Sequence, residues 1–563
     1  MYYGLLTSSS SLTTLLLCSF GALAAAAAAA DHGDAASHNS VKQVAIIGAG
    51  AAGSSTAYHL RKYADEAGVA VNITLFEKTE RIGGRTLTVD AYDDPMQPVE
   101  LGASIFVNVN HILWNAAHDF NLPLIDPGPD EDTLLGVWNG DEFVFEQDST
   151  TSWWWDVAKL VWKYGTAPYY TRNLVKETVA TFLKLYEAPH FPFRSLTTRV
   201  YELGLHKITG LTGQQFLEEK GLYGMFARHL VQTATRVNYA SNLAYIHGLG
   251  AMVSLAADGA KAVEGGNWQI FAHMAGYARA YVHLNTSVAS IGLASRSDPS
   301  APASKYILKT RESTNAAGTV AEAEHIEFDD VVVATPYQFS GIDHDENLLQ
   351  QPIDEIPYVT LHVTLFASPF RFSPEFFKLQ PGATVPTSVL TTLADDETAR
   401  PGAEAAGKAG FFSATLVRTA MNPSTQRREN VYKIFSPDKV TPEFLSSLLG
   451  VRVPDTFTGP VDAETRAEFD VVEAVSWIHP TVFHPYPQKL PRVTFQDPIL
   501  REGLYYTSGM ESFISTMETS ALSGMNVARL IMDDYLGLAT KPKDDHIAAA
   551  MLPEAWEQRI LQQ

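Results

Sequence analysis

The chain has 563 residues, 46% hydrophobic and 18% charged, with a formal net charge of −22. That length can bury a core for two domains, or for one nucleotide domain with a second inserted in it. The acidic balance argues against a nucleic-acid partner, whose phosphates need clustered Lys and Arg, and the single cysteine, Cys18, rules out a disulfide framework or a thiolate metal site within the chain.

Residues 1–30 carry no charged side chain, and Leu12 to Ala30 is an apolar, alanine-rich run that ends before Asp31. A secretory signal peptide over 1–30 is the expected reading, although its first residues lack Lys or Arg. The destination is then a lysosome or vacuole, or the outside of the cell. Cleavage would remove Cys18, so no catalytic thiol is expected. Asn72-Ile73-Thr74 and Asn285-Thr286-Ser287 are glycosylation sequons, meaningful only on that route.

Val44-Ala45-Ile46-Ile47 reads as a buried parallel strand and runs into Gly48-Ala49-Gly50-Ala51-Ala52-Gly53. Three glycines at this spacing allow a tight turn, close approach of a pyrophosphate, and packing of the next helix on the strand. The phosphates then meet a helix N-terminus, whose N–H groups and dipole favour an anion. Ala57, Leu60 and Ala64 give that helix an apolar face. Asn72 to Phe76 returns as a second strand ending in Glu77, placed to accept the ribose hydroxyls, with Lys78 beside it. Gly83-Gly84-Arg85 resembles the extended FAD motif of glutathione-reductase-like flavoproteins. Glu100-Leu101-Gly102-Ala103-Ser104 resembles the segment beneath the flavin ring in their amine-oxidase-like members. These resemblances imply FAD, held at Gly48, Ala49, Gly50, Ala52, Gly53, Glu77, Lys78, Gly84, Arg85, Gly102, Ala103 and Ser104.

From Ser152 to Ala188 the chain is aromatic and amphipathic, with Trp153-Trp154-Trp155, Leu160, Trp162, Tyr164, Tyr169, Tyr170, Phe182 and Leu185 interleaved with Asp156, Lys159, Lys163, Arg172 and Lys176. The charges recur too often for a membrane span. Core helices of a substrate domain are expected; lining of an apolar tunnel, or peripheral membrane contact, stays open. Gly248-Leu249-Gly250 lacks the strand and third glycine of a second nucleotide site, so electrons are expected to pass to molecular oxygen rather than to come from NADPH. A helix is predicted over about Trp268 to Tyr281, then a return strand over Leu284 to Ile291. Val288 in that strand resembles the residue whose backbone contacts adenine in FAD oxidases. Tyr306 to Lys309 and His325 to Phe328 alternate like paired strands, Val331 to Ala334 is a buried strand, and 393–410 reads as a solvated insertion. Gly503 to Glu511, which includes Gly509, is predicted as strand and turn. The helix opening near Ser515-Thr516-Met517-Glu518 resembles the helix start that faces the flavin in monoamine oxidases, where N–H groups stabilise charge gathered on reduction.

Thr235-Arg236-Val237-Asn238-Tyr239, Val253-Ser254-Leu255-Ala256, Ala262-Val263-Glu264-Gly265-Gly266-Asn267 and Leu504-Tyr505-Tyr506, together with Ser515 to Ala521, resemble the prenylcysteine oxidase (prenylcysteine lyase) family. The resemblance covers roughly 41–537. It implies an FAD oxidase that removes hydride from the carbon next to sulfur in S-farnesyl or S-geranylgeranyl cysteine. Water then adds, and collapse gives cysteine, a prenyl aldehyde and hydrogen peroxide. Orientation in an apolar cavity matters more here than a strong nucleophile. Candidate roles are Arg236 on the substrate carboxylate, Tyr239 and Asn267 at the substrate, His247 in activating water, and Glu264 as a catalytic candidate facing the flavin. Each has a structural alternative, and no metal site is read. Two other readings stay open: an FAD oxidase acting on another thioether, amine or secondary metabolite, and a prenyl-binding protein without flavin chemistry, as in the Rab GDP-dissociation inhibitors.

The fold class expected is α/β: a glutathione-reductase-like, Rossmann-type FAD-binding domain with an inserted α+β substrate domain, in an amine-oxidase-like architecture. The FAD domain is expected over 41–110, 255–340 and 496–540, the substrate domain over 111–254 and 341–495, and a tail over 541–563.

Overall fold

A computed structural model describes residues 41–538, apart from 129–133, 149–152, 258, 295–305, 313–324, 351 and 455–472. The signal-like residues 1–30 and the tail 541–563 therefore lie outside the described residues. The last four residues of strand β1 (Lys42–Ile47) are apolar and buried, and the strand becomes the centre of a six-stranded sheet. It leads into helix α1 (Ala51–Ala67), which returns as β2 (Val71–Phe76). Helices α2 (His111–Asp119), α3 (Trp153–Tyr164) and α4 (Ala167–Leu183) follow in a long excursion. The chain then re-enters the sheet as β3 (Tyr281–His283), β4 (Asp330–Val333), β5 (Ile499–Arg501) and β6 (Leu504–Tyr506), and ends in helix α5 (Met517–Tyr535).

The sheet order is β5-β6-β4-β1-β2-β3. All pairs are parallel except β5 with β6, and Ile46 lies opposite both Leu75 and Val332. Parallel strands buried on both faces need helices on both sides, and α1 and α5 supply one of these layers. They cover Val44, Ile46, Ile73, Leu75 and Val332 through Ala57, Leu60, Val527, Leu530 and Ile531.

Two further sheets complete the architecture. A four-stranded sheet contains Thr286–Leu293, Tyr306–Glu312 and His325–Phe328, so the expected pairing of the last two is present. A seven-stranded sheet is built from segments between Leu134 and Phe483 and packs a core of Trp138, Phe366, Phe377, Phe411 and Tyr432.

One expectation is corrected and one is qualified. The helix from Trp268 ends at Tyr277, because Arg279 turns to φ 51° and Tyr281–His283 pairs with β2 as a separate strand. The strand and turn expected from Gly503 are present as β6 followed by a 3₁₀ turn, Ser508–Ser512. The stretch 393–410 is solvated only in part: most of it is exposed, but Ala405, Ala406 and Ala409 are buried, and their small side chains let a short 3₁₀ segment enter the core.

Helices α1 and α5 touch backbone to side. A Cβ on Gly524 would lie 2.2 Å from the carbonyl oxygen of Ala52, and Ser55 Oγ donates to Ala521 O at 2.6 Å. Gly524→Ala is expected to cost about 1–3 kcal/mol or more through forced separation of the helices, read as a lower denaturant midpoint with an unchanged slope.

Candidate cofactor and substrate site

The β1–α1 turn forms a cradle that no side chain could enter. Gly48 has φ 106°, and a Cβ there would sit 2.9 Å from Ala334 O. A Cβ on Gly53 would lie 1.8 Å from Gly48 O, so only glycine lets α1 begin this close to β1. Gly50 caps α1 without a side-chain bond, leaving the first-turn N–H groups available to an anion. Gly84, at φ 58°, brings the second glycine pair against it, since its Cβ would fall 3.1 Å from Gly50 Cα.

Glu77 is buried at the end of β2. One oxygen accepts from Ala49 N at 2.9 Å, and the other from Thr79 N at 2.9 Å and Thr79 Oγ1 at 2.8 Å. The carboxylate is thus fixed beside the glycine turn, with lone pairs remaining for ribose. Lys78 is exposed, and Val288 is buried in the adjoining sheet.

Arg85 joins this N-terminal half to the C-terminal one. Its guanidinium donates bidentately to Glu511, at 2.7 and 2.6 Å, and also to Pro485 O at 2.6 Å. Tyr358 adds a hydroxyl to Glu511 at 3.0 Å. Burial opposes the charge on Arg85, but Glu511 outweighs it and holds the guanidinium protonated. A planar fork is suited to such a pair. The Arg85 side chain is therefore committed to Glu511 rather than open to a ligand.

Gly102 passes so close to the Arg85 backbone that a Cβ would lie 2.0 Å from Arg85 O. Lys433 anchors this segment, donating to Glu100 O at 2.9 Å and to Ser104 Oγ at 2.8 Å, and Ala103 O accepts from Asn267 Nδ2 at 3.1 Å. Burial pushes the Glu100 carboxyl up to about 7 and the Lys433 amine down to about 8, each opposed by the other's charge. At the far end, Gly509 approaches Gln496, where a Cβ would be 2.5 Å from Gln496 O.

Helix α5 opens with a capping box in which Thr516 and Thr519 bond reciprocally. Helix geometry leaves the Met517 and Glu518 N–H groups without intrahelical acceptors, available to a flavin edge. The Glu518 side chain departs from the expectation of a cofactor contact. Its carboxylate accepts from Ile112 N at 3.0 Å, Leu113 N at 3.1 Å and Tyr186 Oη at 2.9 Å, so it caps α2. The small gap between two helix starts draws the acid to α2, not to the ligand.

The substrate and acid-base candidates are largely structural. Arg236 is wholly buried and donates to Thr391 Oγ1, Asn242 Oδ1 and the carbonyls of Ala405, Ala406 and Phe411. It clamps the 3₁₀ segment into the core and cannot also hold a substrate carboxylate. Asn267 spends its Oδ1 on Val263 N and its own N–H on Glu100 Oε1, so it neither caps the next helix nor faces substrate. Glu264 points into solvent, its N–H held by Pro123 O. His247 is the N-cap of Gly248–Ser254, accepting from Gly250 N at 3.0 Å, with Nε2 3.3 Å from Ser512 O. Burial and nearby Lys489 push its imidazole down to about 3, which suits a neutral structural cap rather than a base for water. Gly248 and Gly250 serve tight packing against Ile208 and Ile246, not a second nucleotide.

Tyr239 lies beside the start of α5. Its hydroxyl is 3.5 Å from Ser515 O, and its ring meets Tyr486 edge to face at 5.3 Å. Between these rings sits a residue that the sequence reading missed. The Lys489 amine is buried, lies 3.8 Å from the centroid of Tyr239 and 5.0 Å from that of Tyr486, and has no hydrogen-bond partner among the described residues. Burial pushes it well below the ordinary lysine value, with Glu511 pulling the other way and Arg85 adding to the depression. The only signal in the sequence is a lysine between prolines and a tyrosine, too common to single out.

Residues 147–544 match the prenylcysteine lyase family model, and residues 46–120 match an NAD(P)-binding Rossmann-like domain. The chain belongs to the prenylcysteine lyase family. Within this family it is 28% identical to a protein named farnesylcysteine lyase from Arabidopsis thaliana, over 88% of this chain and 89% of that one. It is 27% identical to prenylcysteine oxidase 1 of Rattus norvegicus and 26% identical to that of Homo sapiens, each over 88% of this chain and 90% of the relative. Among solved structures, a cyclohexylamine oxidase from Brevibacterium oxydans superposes with TM-score 0.51 at 15% identity, covering 88% of this chain and all of that one. A putrescine oxidase double mutant superposes with TM-score 0.50 at 13% identity, over 87% and 99%. The amine-oxidase-like fold is thereby established, and the glycine cradle, Glu77 and the α5 N-terminus fit FAD within it.

Two expected outcomes follow from the charges. Arg85→Met should cost about 2–3 kcal/mol, toward the low end for a broken buried pair because Arg85 is partly exposed, while Arg85→Met combined with Glu511→Gln should recover much of the loss in chemical unfolding. Burial, opposed by its three donors, raises Glu518 from 4.5 to about 7. The folded state then holds a proton that the unfolded chain has released, so this group's stabilising effect is complete below about 4.5 and is lost as pH rises through about 7. Relative to Glu518→Gln, the native chain should lose up to roughly 3 kcal/mol between those limits, measured as the pH-dependent difference in unfolding free energy.

Proposed function

We propose that this chain is an FAD-dependent oxidase that cleaves the thioether of S-prenyl-cysteine, releasing cysteine, a prenyl aldehyde and hydrogen peroxide. The observation that carries the reading is the family match over 147–544, joined to a glycine cradle whose closest approaches leave no room for a side chain. Bound FAD would supply hydride acceptance and its return to oxygen. The protein's part is to bind, orient and shield. Gly48, Gly50 and Gly53 would seat the pyrophosphate, Glu77 the ribose, and the α5 N-terminus the electron-rich edge of the ring. A charge developing next to sulfur is stabilised by the substrate's own lone pair and alkene, so the chemistry asks no strong nucleophile of the chain.

The absence of a charged anchor at Arg236 also bears on recognition. Its donors are consumed within the fold, so affinity is expected to come mainly from the apolar chain of the substrate. The division into an FAD domain (41–110, 255–340 and 496–540) and a substrate domain (111–254 and 341–495) is part of the same proposal. So is passage through the secretory route to a lysosome, vacuole or the cell exterior, which rests on the apolar run in residues 1–30. On that route Asn285, exposed in a turn, is the more accessible sequon, while Asn72 lies within β2.

Product analysis tests the activity. Farnesylcysteine incubated with the purified flavoprotein should yield farnesal, cysteine and peroxide in equal amounts, with flavin bands near ~450 nm bleaching under anaerobic substrate. A flavin-loaded protein that oxidises amines but leaves farnesylcysteine intact would overturn the substrate assignment. A protein that retains no flavin would favour prenyl binding without chemistry.

A further inference from the structure

The aromatic tract divides between two environments. Tyr164, Val175 and Phe182 turn inward, and the Tyr164 ring meets Phe226 at 5.6 Å. Other large side chains of the same elements face water: Trp162 is 90% exposed, Tyr169 66%, Tyr170 58%, and, beside Phe226, Tyr223 71% and Met225 56%. The inward contacts of Tyr164, Leu160, Leu174, Phe226 and Leu222 belong to one hydrophobic cluster, so α3, α4 and the 222–226 segment are packed together beneath this outward face. Contiguous exposed aromatics of this size are uncommon on a protein surrounded only by water.

The charges among them are mainly cationic. Lys159, Lys163, Arg172 and Lys176 fall between Asp156 and the exposed Glu177, four cations to two acids in a chain whose net charge is −22. Lys163 bonds the carbonyl of Val144, while Lys159, Arg172 and Lys176 are exposed. Tyr and Trp carry an apolar body with a polar tip, and Lys and Arg extend a charge on an apolar stem. That combination suits the boundary between hydrocarbon and lipid headgroups. No helix among the described residues is long and apolar enough to cross a membrane, so the contact would lie along the surface.

We propose that the outward face of α3 and α4, extended by Tyr223 and Met225, is a docking surface for an anionic lipid bilayer. Charge complementarity selects this occupant. A second copy docked through the same face would oppose cations to cations, because a two-fold contact places a patch on itself. An anionic leaflet attracts each cation within reach, while the acidic remainder of the molecule is screened beyond about 8 Å at physiological ionic strength. The surface also holds the protein in one orientation, with this face down.

Sedimentation with vesicles tests the inference without any substrate. The purified full chain should pellet with phosphatidylcholine vesicles containing phosphatidylserine and much less with phosphatidylcholine alone, and added salt should release it. Trp162→Ser with Tyr169→Ser and Tyr170→Ser should weaken binding, as should Lys159→Glu with Arg172→Glu and Lys176→Glu, the latter by roughly tenfold or more. Both sets lie on the exposed face, so the thermal midpoint and the turnover of dissolved substrate without vesicles should stay unchanged. A native chain that remains in the supernatant with either vesicle overturns the proposal. So does binding indifferent to phosphatidylserine or to both sets of substitutions, or a native dimer that the aromatic set converts to monomer. Because no turnover enters the vesicle measurement, failure here leaves the thioether oxidase reading standing, and failure of that reading leaves this one standing.

Discussion

The contact between the start of α1 and the end of β1 governs the architecture of the site. With Gly53 in place, the helix begins almost on top of the strand, at a distance where any Cβ would collide with Gly48 O. That placement aims the helix N-terminus along the strand axis, where a pyrophosphate can meet unpaired N–H groups. It also sets the depth at which Gly84 meets Gly50 and the height of Glu77 beside Ala49 N. The cofactor face is thus shaped mainly by backbone that cannot move apart.

A second layer of order comes from polar side chains placed in nearly dry surroundings. Arg85 and Glu511, Glu518 and the α2 N-terminus, Arg236 and three carbonyls each satisfy groups that would be costly to leave unpaired. Lys489 departs from this pattern, since its amine lies between two tyrosine rings with no hydrogen-bond partner among the described residues. The charges that act on it are those of Glu511 and Arg85.

The fingerprint was legible from sequence because its cause is local. The turn, the cap and the Gly53–Gly48 contact all lie between Ile46 and Gly53, while the approaches of Ala334 and Gly84 come from farther along the chain. Thr516 and Thr519 at the start of α5 are equally local to each other. The side-chain partners of Glu518 and Arg85 are not legible from the sequence because they are remote: Glu518 meets Ile112 across 406 positions, and Arg85 meets Glu511 across 426. An acid after a helix cap, or an arginine in a helix, carries no mark of which distant donor or carbonyl it will find. The alanine-rich stretch 393–410 shows the complement of this, since small residues suited to a loop are equally suited to entering a tight core beside Arg236.

The order of the sheet has a consequence for how the protein is made. β4 lies between β1 and β6, and α5 packs on α1, so the nucleotide-binding layer is assembled from both ends of the chain. During synthesis β1, α1 and β2 emerge first, yet one face of α1 stays uncovered until about Tyr535 has left the ribosome. The cradle is complete only then. Until then the β1–α1 unit waits with one apolar helix face open, the kind of surface that aggregates during folding.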